Sequence, residues 1–207
     1  MARAPGRTSD TAERVLDVAE RLAQTRGFNG FSYADIAAEV GITTASLHYH
    51  FPTKADLGEA LVVRYTDAFQ AALTEVAASS DGALTKLERY VRIYHDVLGA
   101  DRMCLCGMFA AEYATLPAPM QQALRRFFDD NERWLVEVLE TGRADGSVQF
   151  EGGAADMAGL LTGALEGSML LARSYSDVAR FGASAEQLLR TLRPTPGAAR
   201  SSRPVRR

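Results

Sequence analysis

Hydroxyl, imidazole and phenol side chains are concentrated in one short segment, in which residues 43–49 read Thr-Thr-Ala-Ser-Leu-His-Tyr. In a helix that turns Leu47 inward, the other side chains can contact base edges, thymine methyl groups and phosphates. Lys54 follows in the first turn of a further predicted helix, where the dipole disfavours a cation but the free N–H groups attract a phosphate. The segment predicts contact with nucleic acid, with a solvated surface lysine as the alternative interpretation of Lys54.

The other reactive side chains form no recognisable catalytic or metal-binding set. His48 and His50 are two residues apart, so on a helix they point to different faces, whereas a metal site needs three or four converging ligands. No Ser-His-Asp arrangement, phosphate-binding loop or metalloprotease motif occurs in the sequence. We therefore expect no metal, no cofactor and no catalysis, and a small helical enzyme is the least favoured function.

The only two cysteines, Cys104 and Cys106, are also two residues apart and would diverge on a helix. This scarcity excludes a disulfide scaffold and is typical of the reducing cytoplasm, where we expect the protein to act. The two residues are either small core side chains or a redox or electrophile sensor, and a sensor would need an exposed, activated thiol.

Two glutamates, Glu112 and Glu166, lie inside apolar stretches, where a carboxylate needs a partner or a ligand. An internal salt bridge or water network is one interpretation, and the orientation of a bound ligand is the other. We expect a small, largely apolar effector that bears a donor or a positive group. The predicted ligand-binding residues are Tyr65, Phe69, Tyr94, Cys104, Met108, Glu112, Trp134 and Glu166.

The elements that must position these side chains are helices. Of 207 residues, 47% are apolar and 24% charged, as in ordinary globular domains, and apolar residues recur at helical spacing almost throughout. Only residues 147–150 could form a strand. The predicted fold is all-α with about nine helices, which span roughly residues 10–26, 33–40, 44–51, 54–78, 81–98, 104–115, 117–143, 153–174 and 178–192.

Residues 32–57 have the layout of a helix-turn-helix followed by a third helix. Ser32 with Asp35 and Thr53 with Asp56 form capping-box pairs, and Gly41 separates the first two helices. In this motif the second helix enters the major groove of DNA. The predicted DNA-binding residues are Ser32, Tyr33, Thr43, Thr44, Ala45, Ser46, His48, Tyr49 and Lys54.

The segment resembles the DNA-binding domain of TetR-type transcriptional repressors. The resemblance rests on Phe28, Phe31-Ser32-Tyr33, Asp35-Ile36-Ala37, Gly41-Ile42 and the run from Leu47 to Lys54. It implies a homodimer that binds double-stranded operator DNA of palindromic sequence and is released by a small-molecule inducer. It also supports the redox alternative, because some members of this family respond through a cysteine in the region of Cys104 and Cys106.

Three positions depart from the family pattern. Members often carry Lys or Arg where Thr44 stands, Gly at Ala45 and Tyr at His48. Fewer bidentate contacts to guanine follow from the loss of the cation at Thr44. The operator sequence therefore cannot be carried over from the family.

The charge distribution agrees with a division into domains. Residues 55–189 carry eleven basic and twenty acidic side chains, a net −9, which disfavours a long nucleic-acid surface there. We expect a DNA-binding domain over residues 1–53, a ligand-binding and dimerisation domain over 54–193, and a disordered basic tail over 194–207.

Glycines recur every fourth residue at Gly159, Gly163 and Gly167, on a helix that is apolar nearly all round. Both faces of such a helix must be covered, so we expect a core on one side and a partner subunit on the other. Close packing within one subunit is the alternative. The predicted dimer interface comprises Gly159, Gly163, Gly167, Leu188 and Leu192, and no membrane partner is expected, because the apolar run is too short to span a bilayer.

Overall fold

The computed structural model describes residues 5–194, with side chains from Asp10 onward, and within that range it is helical without strands. The all-α fold predicted from the sequence is confirmed, whereas the strand considered for residues 147–150 is absent. The predicted tail lies outside the described residues from residue 195 onward. The helices are α1 (Pro5–Arg26), α2 (Tyr33–Val40), α3 (Thr44–His50), α4 (Lys54–Ala78), α5 (Ala83–Gly99), α6 (Leu105–Ala111), α7 (Ala118–Asp145), α8 (Ala154–Ser174) and α9 (Val178–Arg190).

The largest differences from the predicted helix boundaries are at α1 and α6. Helix α1 begins at Pro5, so Asp10 lies within it and does not cap it. The segment expected to be one helix to Thr115 is split, because the α-helix ends at Glu112, where the backbone has φ −104° and ψ 10°, and a 3₁₀ turn follows over Tyr113–Thr115.

The chain forms two compact units, each assembled from separate segments. The first comprises Met1–Ala72 and Asp96–Asp130, and the second comprises Leu73–His95 and Asn131–Arg207. The predicted functional boundary after residue 53 lies inside the first unit and stays a prediction.

Local capping signals set the N-termini of the helices in the first unit. The Ser32 hydroxyl accepts a hydrogen bond from the backbone N–H of Asp35, whose carboxylate in turn accepts from the N–H of Ser32. Thr53 and Asp56 form the same reciprocal pair at the start of α4. These pairs satisfy amide groups that would otherwise have no partner in the first turn.

A turn at Gly41 separates α2 from α3. Gly41 has φ +76°, a left-handed conformation that glycine adopts without steric cost. Its N–H donates to the carbonyl of Ala37 at 3.0 Å, which closes the C-terminus of α2. Thr43 then caps α3, because its hydroxyl accepts from the N–H of Ser46 at 3.1 Å.

The core of the first unit gathers the apolar faces of its helices around the two aromatic side chains that follow α1. Phe28 lies between Phe31, at a ring-centroid distance of 6.3 Å, and Phe109, at 5.6 Å. The buried side chains include Leu22, Phe28, Phe31, Ile36, Leu47, Leu57, Leu61, Leu105, Phe109 and Met120.

Helices α8 and α9 pack against each other in the second unit. One side of α8 is buried through Ala158, Leu161, Leu165, Met169 and Ala172. Its other side exposes Leu160, Leu170 and Leu171, each by about half of its surface. Helix α8 therefore carries apolar side chains on both faces, as its sequence predicts.

The backbone of α7 approaches its neighbours closely at Gly142. A Cβ placed there would collide with the Cβ of Ala83 and lie 2.7 Å from Cγ2 of Val148. At Gly182 in α9, by contrast, an added Cβ meets no heavy atom within 4 Å. Glycine at position 142 is thus required by packing rather than by backbone conformation.

We expect Gly142→Ala to lower the free energy of unfolding by about 1–3 kcal/mol, because overpacking outweighs a gain in helix propensity of about 1 kcal/mol. Gly182→Ala is the matched control and should be neutral or stabilising. Urea denaturation followed by circular dichroism measures both. Equal stability of the two variants would contradict the close packing at Gly142.

Candidate DNA-binding and effector sites

Helix α3 is held by one buried side chain and presents the rest of its surface to solvent. Leu47 is fully buried, whereas Tyr49 is 74% exposed. Thr44, Ala45 and His48 are exposed as well. The outward face predicted from the sequence is therefore available for contact with DNA.

Tyr33 connects α2 to the link between α3 and α4. Its hydroxyl lies 2.8 Å from the carbonyl oxygen of Phe51 and 2.6 Å from that of Thr53, so it donates to this pair of acceptors. Burial, and secondarily the charge of Asp56, raises the pKa of Tyr33 to about 12. The prediction of Tyr33 as a DNA contact therefore needs revision, because its hydroxyl is used to position α3.

His48 contacts the segment that follows α3. Its Nδ1 lies 3.0 Å from the carbonyl oxygen of Pro52, and a carbonyl can only accept, so Nδ1 carries a proton. Of the two tautomers of a neutral imidazole, this contact selects the one in which Nε2 is an acceptor. The ring also packs against Tyr33 at a centroid distance of 4.7 Å. An exposed imidazole with a fixed tautomer is suited to reading donors on base edges.

Lys54 was predicted to bind phosphate, and its contacts do not agree with that role. Its ammonium donates to the carbonyl of Phe28 at 2.5 Å and to that of Phe31. It also lies 4.7 Å and 4.4 Å from the centroids of the same two rings. Desolvation lowers the pKa of Lys54, while the charges of Glu112 and Asp35 oppose that shift. Lys54 thus stabilises the corner between α1 and α2, defined here as residues 27–31.

Glu112 was predicted to contact a ligand, and it instead binds the same corner. Its carboxylate accepts from the N–H of Phe28 at 2.5 Å and from that of Asn29 at 3.3 Å. The Asn29 side chain donates in turn to the hydroxyl of Thr115 at 2.9 Å. Gly27, with φ +80°, leaves room for the carboxylate, since a Cβ there would lie 2.8 Å from Oε1. The end of α6 is therefore fixed to the corner.

Both cysteines are buried and neither forms a disulfide. Sγ of Cys104 accepts from the N–H of Gly107 at 3.5 Å and so caps α6, while Cys106 is fully enclosed in the core. Burial excludes solvent from both thiols in this conformation, which favours the structural interpretation. Thiol sensing, which requires exposure, stays a prediction.

The eight predicted ligand-binding residues are divided between the two units. Tyr65, Phe69, Cys104, Met108 and Glu112 belong to the first unit, and the two aromatic residues among them pack on Phe127, at 5.8 and 5.2 Å. Tyr94, Trp134 and Glu166 belong to the second unit.

A buried polar cluster surrounds Tyr94 in the second unit, and three of its members were missed by the sequence analysis: Tyr90, Asn131 and Thr162. The Tyr90 and Tyr94 hydroxyls are 3.1 Å apart, and the Asn131 amide donates to Tyr94 at 3.1 Å. Asn131 could have been found from the sequence, because it lies at helical spacing between Phe127 and Trp134 on the apolar stripe of α7.

Two family models match the chain. The model described as bacterial regulatory proteins of the tetR family matches residues 15–61, and the tetracyclin repressor-like C-terminal domain matches residues 83–188. The chain belongs to the TetR family. It is accordingly a DNA-binding transcriptional regulator and not an enzyme.

Individual relatives agree with this assignment. A TetR-family regulator from Agrobacterium tumefaciens shares 33% identity, with a TM-score of 0.87 over 90% of this chain and 99% of that one. A TetR regulator from Legionella pneumophila shares 32% identity, with a TM-score of 0.79 over 93% and 100% of the two chains. The transcriptional repressor NemR of Escherichia coli is 26% identical over 170 residues, which cover 79% of this chain and 84% of NemR.

No helix among residues 5–194 combines the length and hydropathy that crossing a bilayer requires.

The salt dependence of DNA affinity distinguishes a structural role of Lys54 from phosphate binding. We expect Lys54→Met to lower the free energy of unfolding by about 1–3 kcal/mol, because it leaves two carbonyl groups without their donor. The slope of log affinity for DNA against log salt concentration should not change, whereas loss of a phosphate contact reduces it by about one.

Lys86→Met removes the same charge from the second unit and serves as the control. Thermal denaturation and fluorescence anisotropy at several salt concentrations measure the two effects. A slope that falls by about one at unchanged stability would restore the phosphate role of Lys54.

Proposed function

We propose that the protein is a homodimeric repressor that binds a palindromic operator in the cytoplasm and is released by a small-molecule inducer. The observation that carries the proposal is the exposed face of α3, which is fixed to the first unit by Leu47, Thr43 and Tyr33. The domain boundaries expected from the sequence remain part of this proposal.

Base recognition is assigned to Thr44, Ala45, Ser46 and His48. The hydroxyls and the Ala45 methyl group suit base edges and the thymine methyl group. In the tautomer that the Pro52 contact selects, Nε2 of His48 accepts and matches the exocyclic amino groups of adenine and cytosine, which are the donors in the major groove. A regulator with Lys or Arg at the position of Thr44 would instead favour guanine.

Tyr49 is assigned to the DNA backbone. Its side chain is largely exposed at the surface of α3, and a phenol hydroxyl donates readily to a phosphate oxygen. Ser32 and Thr43 also lie at exposed helix N-termini, but their hydroxyls already accept from backbone N–H groups. The Ser32 O–H also donates to the Asp35 carboxylate at 2.6 Å, so Ser32 serves to position α2. Thr43 caps α3, and we assign its O–H to a phosphate oxygen.

Dimerisation is assigned to the outer face of α8 and α9. Leu160 and Leu171 are exposed by 54% and 59%, and Gly163 and Gly167 have open space where a Cβ would stand. A shallow groove continues this apolar face, lined by Ala164, Ser168, Ala183, Ser184, Gln187, Leu188 and Thr191. A self-complementary apolar patch of this kind is typical of two-fold dimers.

One predicted interface residue is excluded from that face. Leu192 is fully buried within its own unit, and its carbonyl accepts from the N–H of Gln149 at 2.8 Å. It therefore supports α9 from inside. Gly159 is nearer the core side, since a Cβ there would lie 3.8 Å from Oε1 of Glu132.

Induction requires that the binding of the inducer and the binding of operator DNA weaken each other. A two-fold dimer presents one recognition helix to each half-site, about 34–36 Å apart. An inducer lowers DNA affinity only if it binds better to a conformation in which that spacing is lost, and DNA then weakens inducer binding by the same factor.

The assignment of α3 to DNA is tested by substitution of its exposed residues. Tyr49→Ala should weaken binding to all sequences about tenfold, because a hydrogen bond to a charged phosphate is lost. His48→Ala should relax the preference for adenine or cytosine at one position, and Thr44→Ala should change the preference at another. Binding to an operator library measures both effects. Tyr175→Ala, at a tyrosine of similar exposure in the second unit, is the control, and unchanged affinity of Tyr49→Ala would exclude this placement of DNA.

The proposed interface is tested by Gly163→Leu. The side chain has room within the monomer, so the fold should be retained, while a partner helix would be displaced. We expect the dimer dissociation constant to rise at least about tenfold, which corresponds to about 1.4 kcal/mol. Sedimentation equilibrium measures it, with Ala144→Leu, an exposed position on α7, as the control. A Gly163→Leu dimer as stable as the wild type would move the interface elsewhere.

A further inference from the structure

The second unit contains polar groups where a purely structural core would place apolar ones. Tyr90, Tyr94, Asn131 and Thr162 are 1%, 2%, 0% and 5% exposed. They belong to three helices, α5, α7 and α8, and they meet at the Tyr90 hydroxyl, where Glu166 also contributes its charge. These five residues are called the tyrosine cluster below.

The side chains of Asn131 and Thr162 each carry a buried oxygen without a hydrogen bond. The Asn131 amide donates from Nδ2 to Tyr94, but its Oδ1 accepts nothing, and Oγ1 of Thr162, which lies near Tyr90, makes no hydrogen bond of normal geometry. Buried polar atoms are normally paired, because an unmade hydrogen bond retains the full cost of desolvation. Asn131 Oδ1 is therefore a buried acceptor to which a bound molecule can donate.

Trp134 connects the tyrosine cluster to a surface groove. Its ring stacks on Tyr90, with centroids 5.6 Å apart and an interplanar angle of 19°. The same side chain lines a groove of about 180 Å³, together with Ala83, Lys86, Glu137, Val138 and Thr141. That volume is comparable to cavities of about 150 Å³ that hold a single aromatic ring.

The charge and the hydrogen-bonding groups of the tyrosine cluster indicate which polar group it could bind. Burial raises the pKa of Tyr90, the neighbouring polar groups of Tyr94, Thr162 and Asn131 oppose this shift, and the charge of Glu166 adds to it. Tyr90 therefore stays protonated. The cluster thus presents a carboxylate, an amide oxygen and hydroxyls, an environment that repels anions and favours a group with several N–H donors.

We propose that the tyrosine cluster binds the protonated amine of a small molecule whose flat apolar part packs against Trp134. This inference rests on the proposed function, because it names the chemical class of the inducer. Asn131 Oδ1, Thr162 Oγ1 and Glu166 accept from the ammonium group, and the groove beside Trp134 provides the entrance.

The single tryptophan of the chain allows a direct test without DNA. Benzylamine, benzyl alcohol and benzoate are titrated into the full-length protein while Trp134 emission is recorded. Benzylamine should cause a saturable change with an affinity at least about tenfold higher than that of benzoate. Benzyl alcohol, which has one donor, should fall between them. The absence of a saturable change with benzylamine, or a preference for benzoate, would overturn the proposal.

Near-isosteric variants distinguish a ligand site from a structural network. Thr162→Val should keep or raise the melting temperature, because it removes an unpaired polar atom, whereas Asn131→Leu also removes the donor to Tyr94 and should lower it. Both variants should weaken benzylamine binding at least about fivefold, and Glu166→Gln should weaken it about tenfold. Unchanged benzylamine affinity in Thr162→Val and Asn131→Leu would assign the cluster a structural role. Operator binding of the amine-free protein is measured separately, so failure of this proposal leaves the DNA-binding proposal testable.

Discussion

The ammonium of Lys54, placed among two carbonyl groups and two aromatic rings, is the contact on which the DNA-binding face depends. A cation in the first turn of a helix opposes the helix dipole, and it is retained here because Phe28 and Phe31 supply both acceptors and ring faces. Glu112 completes the arrangement by accepting the N–H groups of Phe28 and Asn29. The corner at residues 27–31 is thereby fixed to α4 and to α6 by long-range polar contacts.

The orientation of α3 follows from this corner and from Tyr33. Helix α3 has only seven residues and is too short to be stable alone. Leu47 anchors it to the core, Thr43 caps it, and the Tyr33 hydroxyl binds the carbonyl groups that follow it. Rigid support on one side leaves Thr44, His48 and Tyr49 on the other side to meet a ligand of fixed geometry such as duplex DNA.

The second unit departs twice from the usual distribution of side chains, in opposite directions. Its interior holds an amide oxygen and a threonine hydroxyl with unmade hydrogen bonds, while the surface of α8 exposes three leucines. Each departure costs stability in the isolated chain, and functional sites are where such costs are found. A polar ligand inside and a second subunit outside would each remove one of these costs.

The sequence by itself determined the helices, their caps and the helix-turn-helix, because these depend on side chains three or four residues apart. Ser32 with Asp35, Thr53 with Asp56, and the inward position of Leu47 are of this kind. The family pattern added the expectation of DNA binding, and the apolar surface of α8 was visible from its periodicity.

Only the tertiary structure decided the roles of Lys54, Glu112 and Asn131. The partners of Lys54 lie 23 and 26 residues away, that of Glu112 lies 84 residues away, and that of Asn131 lies 37 residues away. Helical periodicity states that a side chain faces inward but does not state which distant group it meets. A lysine and a glutamate that the pattern assigned to phosphate and ligand therefore bind the backbone instead, and an asparagine that it passed over lies at the centre of the candidate effector site.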